Sequence, residues 1–171
     1  MSVSIVMAAY NAAAYIRDAI DSVMQQSLTD WELLVVDDRS TDDTRDIVRA
    51  YADPRIRLIA REHNGGPARA RHDGTVVAQY PYVSYLDSDD RLRPTALEVL
   101  SRALDGHPEA VLAYADFVRI DAKGEQFGFY RYNRRRNRPD GDALEDFLRN
   151  NHMPNGGCAV IRRDVVLQSN C

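Results

Sequence analysis

Lysine is almost missing from this 171-residue chain: Lys123 is the only one, so arginine carries nearly all the positive charge. Cysteine is scarce too. Cys158 and Cys171 stand alone, without the CxxC spacing of a zinc or redox site, and read as reduced thiols of a cytoplasmic protein rather than as a disulfide. There is no excess of positive charge. A formal net charge of −4 leaves no overall field to attract a polyphosphate backbone, which argues against nucleic acid as the main partner. No apolar run approaches the roughly 18 residues that a membrane-spanning helix needs. The start, Met1-Ser2-Val3-Ser4-Ile5-Val6, enters a strand at once and has no basic lead into a long apolar stretch, so no signal peptide is visible. Two glycine-rich phosphate loops are also lacking. Without GxGxxG at the first strand–helix turn a dinucleotide site is disfavoured, and without GxxxxGK[ST] a P-loop is excluded.

What is present fits one soluble domain with a proper core, at 44% hydrophobic and 28% charged residues. Apolar runs at Val3–Ala9, Trp31–Val36, Arg55–Ala60, Tyr82–Leu86 and Ala110–Phe117 predict five strands. Helical spacing lies between them. Ile16, Ile20, Val23 and Met24 form one stripe, with Asn11 as its expected N-cap. Ile47, Val48 and Tyr51 form a second, expected to be capped by Ser40 or Thr41, with Asp42 and Asp43 in its first turn. Pro67 opens a third helix to about Val77, where Ala68, Ala70 and Gly74 permit close backbone approach. Its N-terminus, with Arg69 and Arg71 nearby, suits either an anion or a solvated arginine face. Pro94 opens a fourth, with Leu97, Leu100 and Leu104. Alternating strands and helices imply parallel strands joined by right-handed crossovers.

Beyond Gln126 the pattern changes. The basic run 131–138 reads as a solvated loop or as a contact for phosphate, RNA or an anionic lipid surface. A short helix is expected at Ala143–Leu148, then a strand running into a helix start over Gly156–Val166. Asp121-Ala122-Lys123-Gly124 is a turn signal.

The densest chemistry follows the fourth strand, where Asp87-Ser88-Asp89-Asp90 puts three carboxylates within four residues. Mutual repulsion makes such a cluster costly unless a cation sits among them, and an oxygen-only donor set suits Mg²⁺ or Mn²⁺ with open positions for phosphate oxygens. The alternative is a solvated acidic turn that caps the next helix. Asp37 and Asp38 end the second strand, where open α/β sheets bind ligands.

Four segments occur together in order: Val3-Ser4-Ile5-Val6-Met7-Ala8-Ala9-Tyr10-Asn11, Val35-Val36-Asp37-Asp38-Arg39-Ser40-Thr41-Asp42, Asn64-Gly65-Gly66 with Ala70-Arg71, and Leu86-Asp87-Ser88-Asp89-Asp90. On these the chain resembles the inverting family 2 glycosyltransferases of the GT-A fold. The resemblance implies a single α/β domain, 1–171, Rossmann-like, with a mainly parallel central sheet flanked by helices. It implies a nucleotide-sugar site formed by Ala8, Ala9, Tyr10, Asp38, Gly66, Arg71, Asp87 and Ser88. Asp38 would accept from the base, so Asp38→Ala is expected to weaken nucleotide binding and leave the melting temperature nearly unchanged. Asp89 and Asp90 would hold Mn²⁺ or Mg²⁺. His72 stands where many members have Asn.

The implied activity is metal-dependent, inverting transfer from a nucleoside-diphosphate sugar, a UDP-sugar first, to a polysaccharide, lipid or protein glycan. The unpaired thiols and the start of the sequence suggest a cytoplasmic setting, and the basic run 131–138 a peripheral contact at the inner face of the membrane. The family's catalytic base is expected downstream of Cys171, with Asp164 and His152 as substitutes within the chain. Two other classes compete. A haloacid-dehalogenase phosphohydrolase would carry Asp-x-Asp on its first strand and Thr or Val two places on, where Arg91 stands here. A non-catalytic module would bind nucleotide-sugar or a partner without turnover.

Overall fold

The computed structural model describes residues 1–130 and 159–168. In chain order its elements are β1 (Val3–Ala9), α1 (Ile16–Met24), β2 (Trp31–Asp37), α2 (Thr44–Arg49), β3 (Ile56–Ala60), α3 (Pro67–Val77) and β4 (Tyr82–Tyr85). Then come α4 (Ala96–Gly106), β5 (Leu112–Tyr114), β6 (Phe117–Ile120), β7 (Gln126–Tyr130), β8 (Ala159–Arg162) and α5 (Arg163–Gln168).

β1 and β2 lie at the centre because nearly every side chain in them is buried on one face or the other. Val3, Ile5 and Met7 of β1 and Trp31, Leu33 and Val35 of β2 pack in one layer with α1 and α4, against Ile16, Ile20, Leu97 and Leu104. The intervening Val6, Leu34 and Val36 pack in the other layer with Ala70, Ala78 and Val83. Burial on both faces is why these strands read as mostly apolar runs rather than alternating ones, with the buried Ser4 hydroxyl donating to the buried Glu32 carboxylate at 2.7 Å. α3 comes close to this second layer because Gly74 has no side chain. A Cβ there would meet Val36 Cγ2 at 3.0 Å and overlap Val6 Cγ1 outright.

The six-stranded sheet runs β3-β2-β1-β4-β8-β5. β1 pairs in parallel with β2 and β4, and β2 with β3. β8 breaks the pattern. It inserts antiparallel between β4 and β5, so the sheet is mainly but not wholly parallel. The run Ala110–Phe117, expected as one strand, is two. β5 ends at Tyr114, and Phe117 starts β6, which leaves the main sheet to pair with β7 as a separate hairpin. The Asp121–Gly124 turn closes that hairpin, with Asp121 Oδ1 accepting from the Lys123 and Glu125 N–H groups at 2.9 Å each. The expected helix at 143–148 lies outside the described residues.

Candidate functional site

Parallel pairing brings the carboxyl ends of β1, β2, β3 and β4 to one edge. Ala9 is level with Asp37 and Asp37 with Ala60, while Leu86, just past β4, donates its N–H to the Val6 carbonyl at 3.1 Å. Ligands of open α/β sheets bind at such an edge. The loops that leave these strands carry the residues singled out from the sequence.

The loops after β1 and β2 are tied together. Asn11 does not cap α1, which begins at Ile16. Its Oδ1 instead accepts from the Thr41 N–H at 2.8 Å, and its own N–H donates to Ser40 Oγ at 3.0 Å. Ser40 and Thr41 are therefore cross-links to the first loop rather than caps of α2, which starts later, at Thr44. Asp42 and Asp43 precede the first turn of α2 instead of lying in it. Asp42 accepts from the Ala13 N–H at 3.0 Å and the Thr44 hydroxyl at 2.5 Å, while Thr44 Oγ1 accepts from the Ala12 N–H at 2.8 Å. Burial alone would raise the Asp42 carboxyl, but these donors hold it below its ordinary value. Asn11 and Arg39 take positive φ, 49° and 68°, at the two tight bends this needs. Asn tolerates that region well and Arg does not, so the second bend is held by its surroundings.

Asp37 and Asp38 point to opposite faces. Asp37 is fully buried toward α2, where Oδ2 accepts from Arg45 Nε at 2.5 Å and the Ser40 N–H at 3.1 Å. Asp38 turns toward α3 and is 3% exposed. Its Oδ1 accepts from Arg61 Nη1 and from the Gly65 N–H at 3.0 Å, and its Oδ2 from the Gly65 and Gly66 N–H groups at 3.1 and 2.7 Å. Burial pushes this carboxyl up, but the two backbone donors and the guanidinium more than offset it and leave the pKa lowered. Asp38 therefore braces the glycine turn before α3, and on this geometry its removal should cost the free protein stability, against the expectation of a nearly unchanged melting temperature. The two glycines are needed for different reasons. Gly66 sits at φ 83° with open space where a Cβ would go. A Cβ on Gly65 would lie 2.7 Å from Arg61 Nη1.

Arg71, on α3, donates through Nη2 to Asp87 Oδ1 at 2.5 Å, with each side chain about one-third exposed. An arginine thus answers the first carboxylate of the acidic stretch. Asp87 to Asp90 form a turn closed by Asp90 N–H to Asp87 C=O at 3.0 Å, with Asp89 exposed and Ser88 and Asp90 half-buried. Among the described residues no three acidic, His or Cys side chains converge as a ready-made metal cage. The donor set still fits a hard divalent ion, because Mg²⁺ is commonly held by one or two carboxylates together with substrate phosphates and water.

Ala8 and Ala9 face opposite layers. Ala8 packs with Val36 and Ala70 on the α3 side, while Ala9 is buried in the other layer and offers its carbonyl, which accepts from the Asp38 N–H at 2.8 Å. Tyr10 is 53% exposed at the strand end. A pocket of about 480 Å³ adjoins the acidic turn, bounded by Asp90, Leu92 and Pro94 on one side and Phe117, Val118 and Ile120 on the other. Its size suits a small ligand. Asp164 is exposed in the first turn of α5. The basic run 131–138, His152, Cys158 and Cys171 lie outside the described residues. Among those described, no helix is long and apolar enough to cross a membrane.

Arg61 and Asp73 were not singled out from the sequence. Arg61 had a usable signal, since it directly follows the end of β3 at the same edge as Asp38 and Asp87.

Fold and strand-end chemistry together define an α/β domain of the GT-A type. The sequence matches Glycosyl transferase family 2 over residues 4–168, and the chain belongs to that family. It is 46% identical over 98 residues to the putative teichuronic acid biosynthesis glycosyltransferase TuaG of Bacillus subtilis, covering 56% of this chain and 39% of TuaG. It is 44% identical over 88 residues to WfgD of Escherichia coli, a UDP-Glc:α-D-GlcNAc-diphosphoundecaprenol β-1,3-glucosyltransferase, covering 52% of this chain and 35% of WfgD. The crystal structure of S. aureus TarS 1–349 with UDP-GlcNAc superposes with a TM-score of 0.79, over 99% of this chain and 48% of that one. At 23% identity it shares the fold. The chain thus spans half or less of each of these proteins.

Proposed function

We propose that this chain is the donor-binding domain of a metal-dependent, inverting glycosyltransferase that uses a nucleoside-diphosphate sugar, with UDP-sugars first among candidates. The observation that carries this reading is the row of groups at the carboxyl ends of four parallel strands: Asp38 on the Gly65–Gly66 turn, then Arg71 on Asp87, then Asp89 and Asp90. The UDP-linked donors named for WfgD and TarS support it.

In this reading Asp38, with a carboxylate oxygen at the strand edge, accepts from the N3–H of uracil. Tyr10 and the Ala8–Ala9 backbone border the ribose, together with Ser88. Arg71 approaches the diphosphate, and the Gly66 turn keeps the α3 N-terminus open to it. Asp89 and Asp90 would hold a divalent ion, which when bound would neutralise the charge that grows on the leaving diphosphate. In the transfer, the acceptor oxygen forms its bond to the anomeric carbon from the face opposite the departing phosphate oxygen. The anomeric C–O bond breaks with its electron pair going to the diphosphate, and the hydroxyl proton goes to a base. The pocket next to Asp90 is where a glycan or lipid-linked acceptor would lie in this scheme. Assembly of a cell-wall or other surface polysaccharide at the inner face of the membrane is the corresponding setting.

Thermal-shift measurement against a panel of nucleotide-sugars, with and without Mn²⁺, tests the proposal. Stabilisation by UDP-sugars that needs Mn²⁺ supports it. No stabilisation by any nucleotide-sugar refutes it.

A further inference from the structure

The geometry points to Arg61 and Asp73 as positioning residues that set base selectivity through Asp38; this rests on the proposal that Asp38 accepts from the base. Three protein donors already hold the Asp38 carboxylate: the Gly65 N–H, the Gly66 N–H and Arg61 Nη1. A carboxylate has about four lone-pair sites, so little acceptor capacity is left and its direction is set by the donors already bound. The two glycine N–H groups belong to the turn, but Arg61 has a second constraint. Its Nε donates to Asp73 Oδ2 on α3 at 2.8 Å, and its own backbone N–H donates to the Asp37 carbonyl at 2.9 Å.

The guanidinium is a rigid planar fork. With Nε on Asp73 and Nη1 on Asp38, its plane is fixed at both ends, and Asp73 thereby determines from which side Asp38 is approached. The space is tight as well, since Nη1 and Nη2 would lie 2.7 and 2.9 Å from any Cβ at Gly65. Arg61 is 14% exposed while Asp73 is 39% exposed. An ion pair with so exposed a partner adds little stability. What the Asp73 arm supplies is orientation: a change at Asp73 turns the Asp38 lone pair away from the base edge without touching the nucleotide.

Discrimination between uracil, whose N3 is a donor, and cytosine, whose N3 is an acceptor, reads that orientation directly. UDP and CDP dissociation constants are measured by calorimetry in Mn²⁺ for the wild type, Asp73→Asn and Arg61→Lys, beside melting temperatures. Misdirecting one charge-assisted hydrogen bond should reduce the UDP-over-CDP preference about tenfold in both variants. The Asp73→Asn melting temperature should stay within about 2 °C of wild type, as for a partly exposed pair. Variants that melt lower but keep the wild-type UDP-over-CDP ratio overturn the inference and leave the base-reading role of Asp38 standing. A wild type that binds UDP and CDP equally overturns both.

Discussion

Asp38→Ala should destabilise the free protein as well as weaken nucleotide binding. The side chain is 3% exposed and accepts from two backbone N–H groups and a guanidinium. Alanine removes all of these acceptors at once and leaves the Gly65 and Gly66 N–H groups and Arg61 to be satisfied by water. Hydrogen bonds to a charged group contribute about 1.5–3 kcal/mol net, and stranded partners add to the loss, so about 2–4 kcal/mol is expected in total. At about 2–4 °C per kcal/mol for a domain of this length, the melting temperature should fall by roughly 4–16 °C. Differential scanning fluorimetry in the absence of nucleotide is the assay, with urea unfolding as a check. A melting temperature within about 2 °C of wild type would show that the carboxylate does not brace the glycine turn.

The same group predicts a pH dependence. The folded Asp38 pKa is lowered, so its contribution is fully present above the unfolded carboxyl value of about 3.9 and is lost only as pH falls through the folded value. The stability gap between wild type and Asp38→Asn should accordingly be flat from about pH 5 to 7 and close below about pH 4; urea midpoints that show it closing above pH 5 would contradict this. Gly74→Ala should destabilise by about 1–3 kcal/mol, because the added methyl overlaps Val6 and presses on Val36 between α3 and the sheet. A neutral or stabilising effect in urea unfolding would mean that α3 is free to shift outward. Thr44→Val should lower stability by about 1–2 kcal/mol, since the Ala12 N–H loses its acceptor and Asp42 its hydroxyl donor; unchanged unfolding would show that the two loops are not tied there.

Much of the fold could be read from β1, β2 and α3. Strands buried on both faces show as continuous apolar runs, and a Pro at N1 with small residues after it marks a helix pressed against a sheet. The acidic strand ends were equally legible, because their position follows from the strand boundaries. The joins between loops were not. Asn11, Ser40, Thr41, Asp42 and Thr44 are all ordinary capping residues, and nothing local distinguishes a cap from a hydrogen bond to a residue about thirty positions away. The same holds for Arg61, whose partners Asp38 and Asp73 come from two other elements. β8 shows a different limit. Its apolar run announces a strand, but whether it pairs parallel or antiparallel, and between which neighbours, depends on the path of the chain rather than on composition.

Metal-dependent donor binding is the central claim, and calorimetry with UDP tests it most directly. The wild type should bind UDP in Mn²⁺ and bind it at least about tenfold more weakly in EDTA, while an Asp89→Asn, Asp90→Asn double variant should be weak under both conditions. Equal UDP affinity with and without the ion, or full Mn²⁺ dependence in the double variant, would contradict the account.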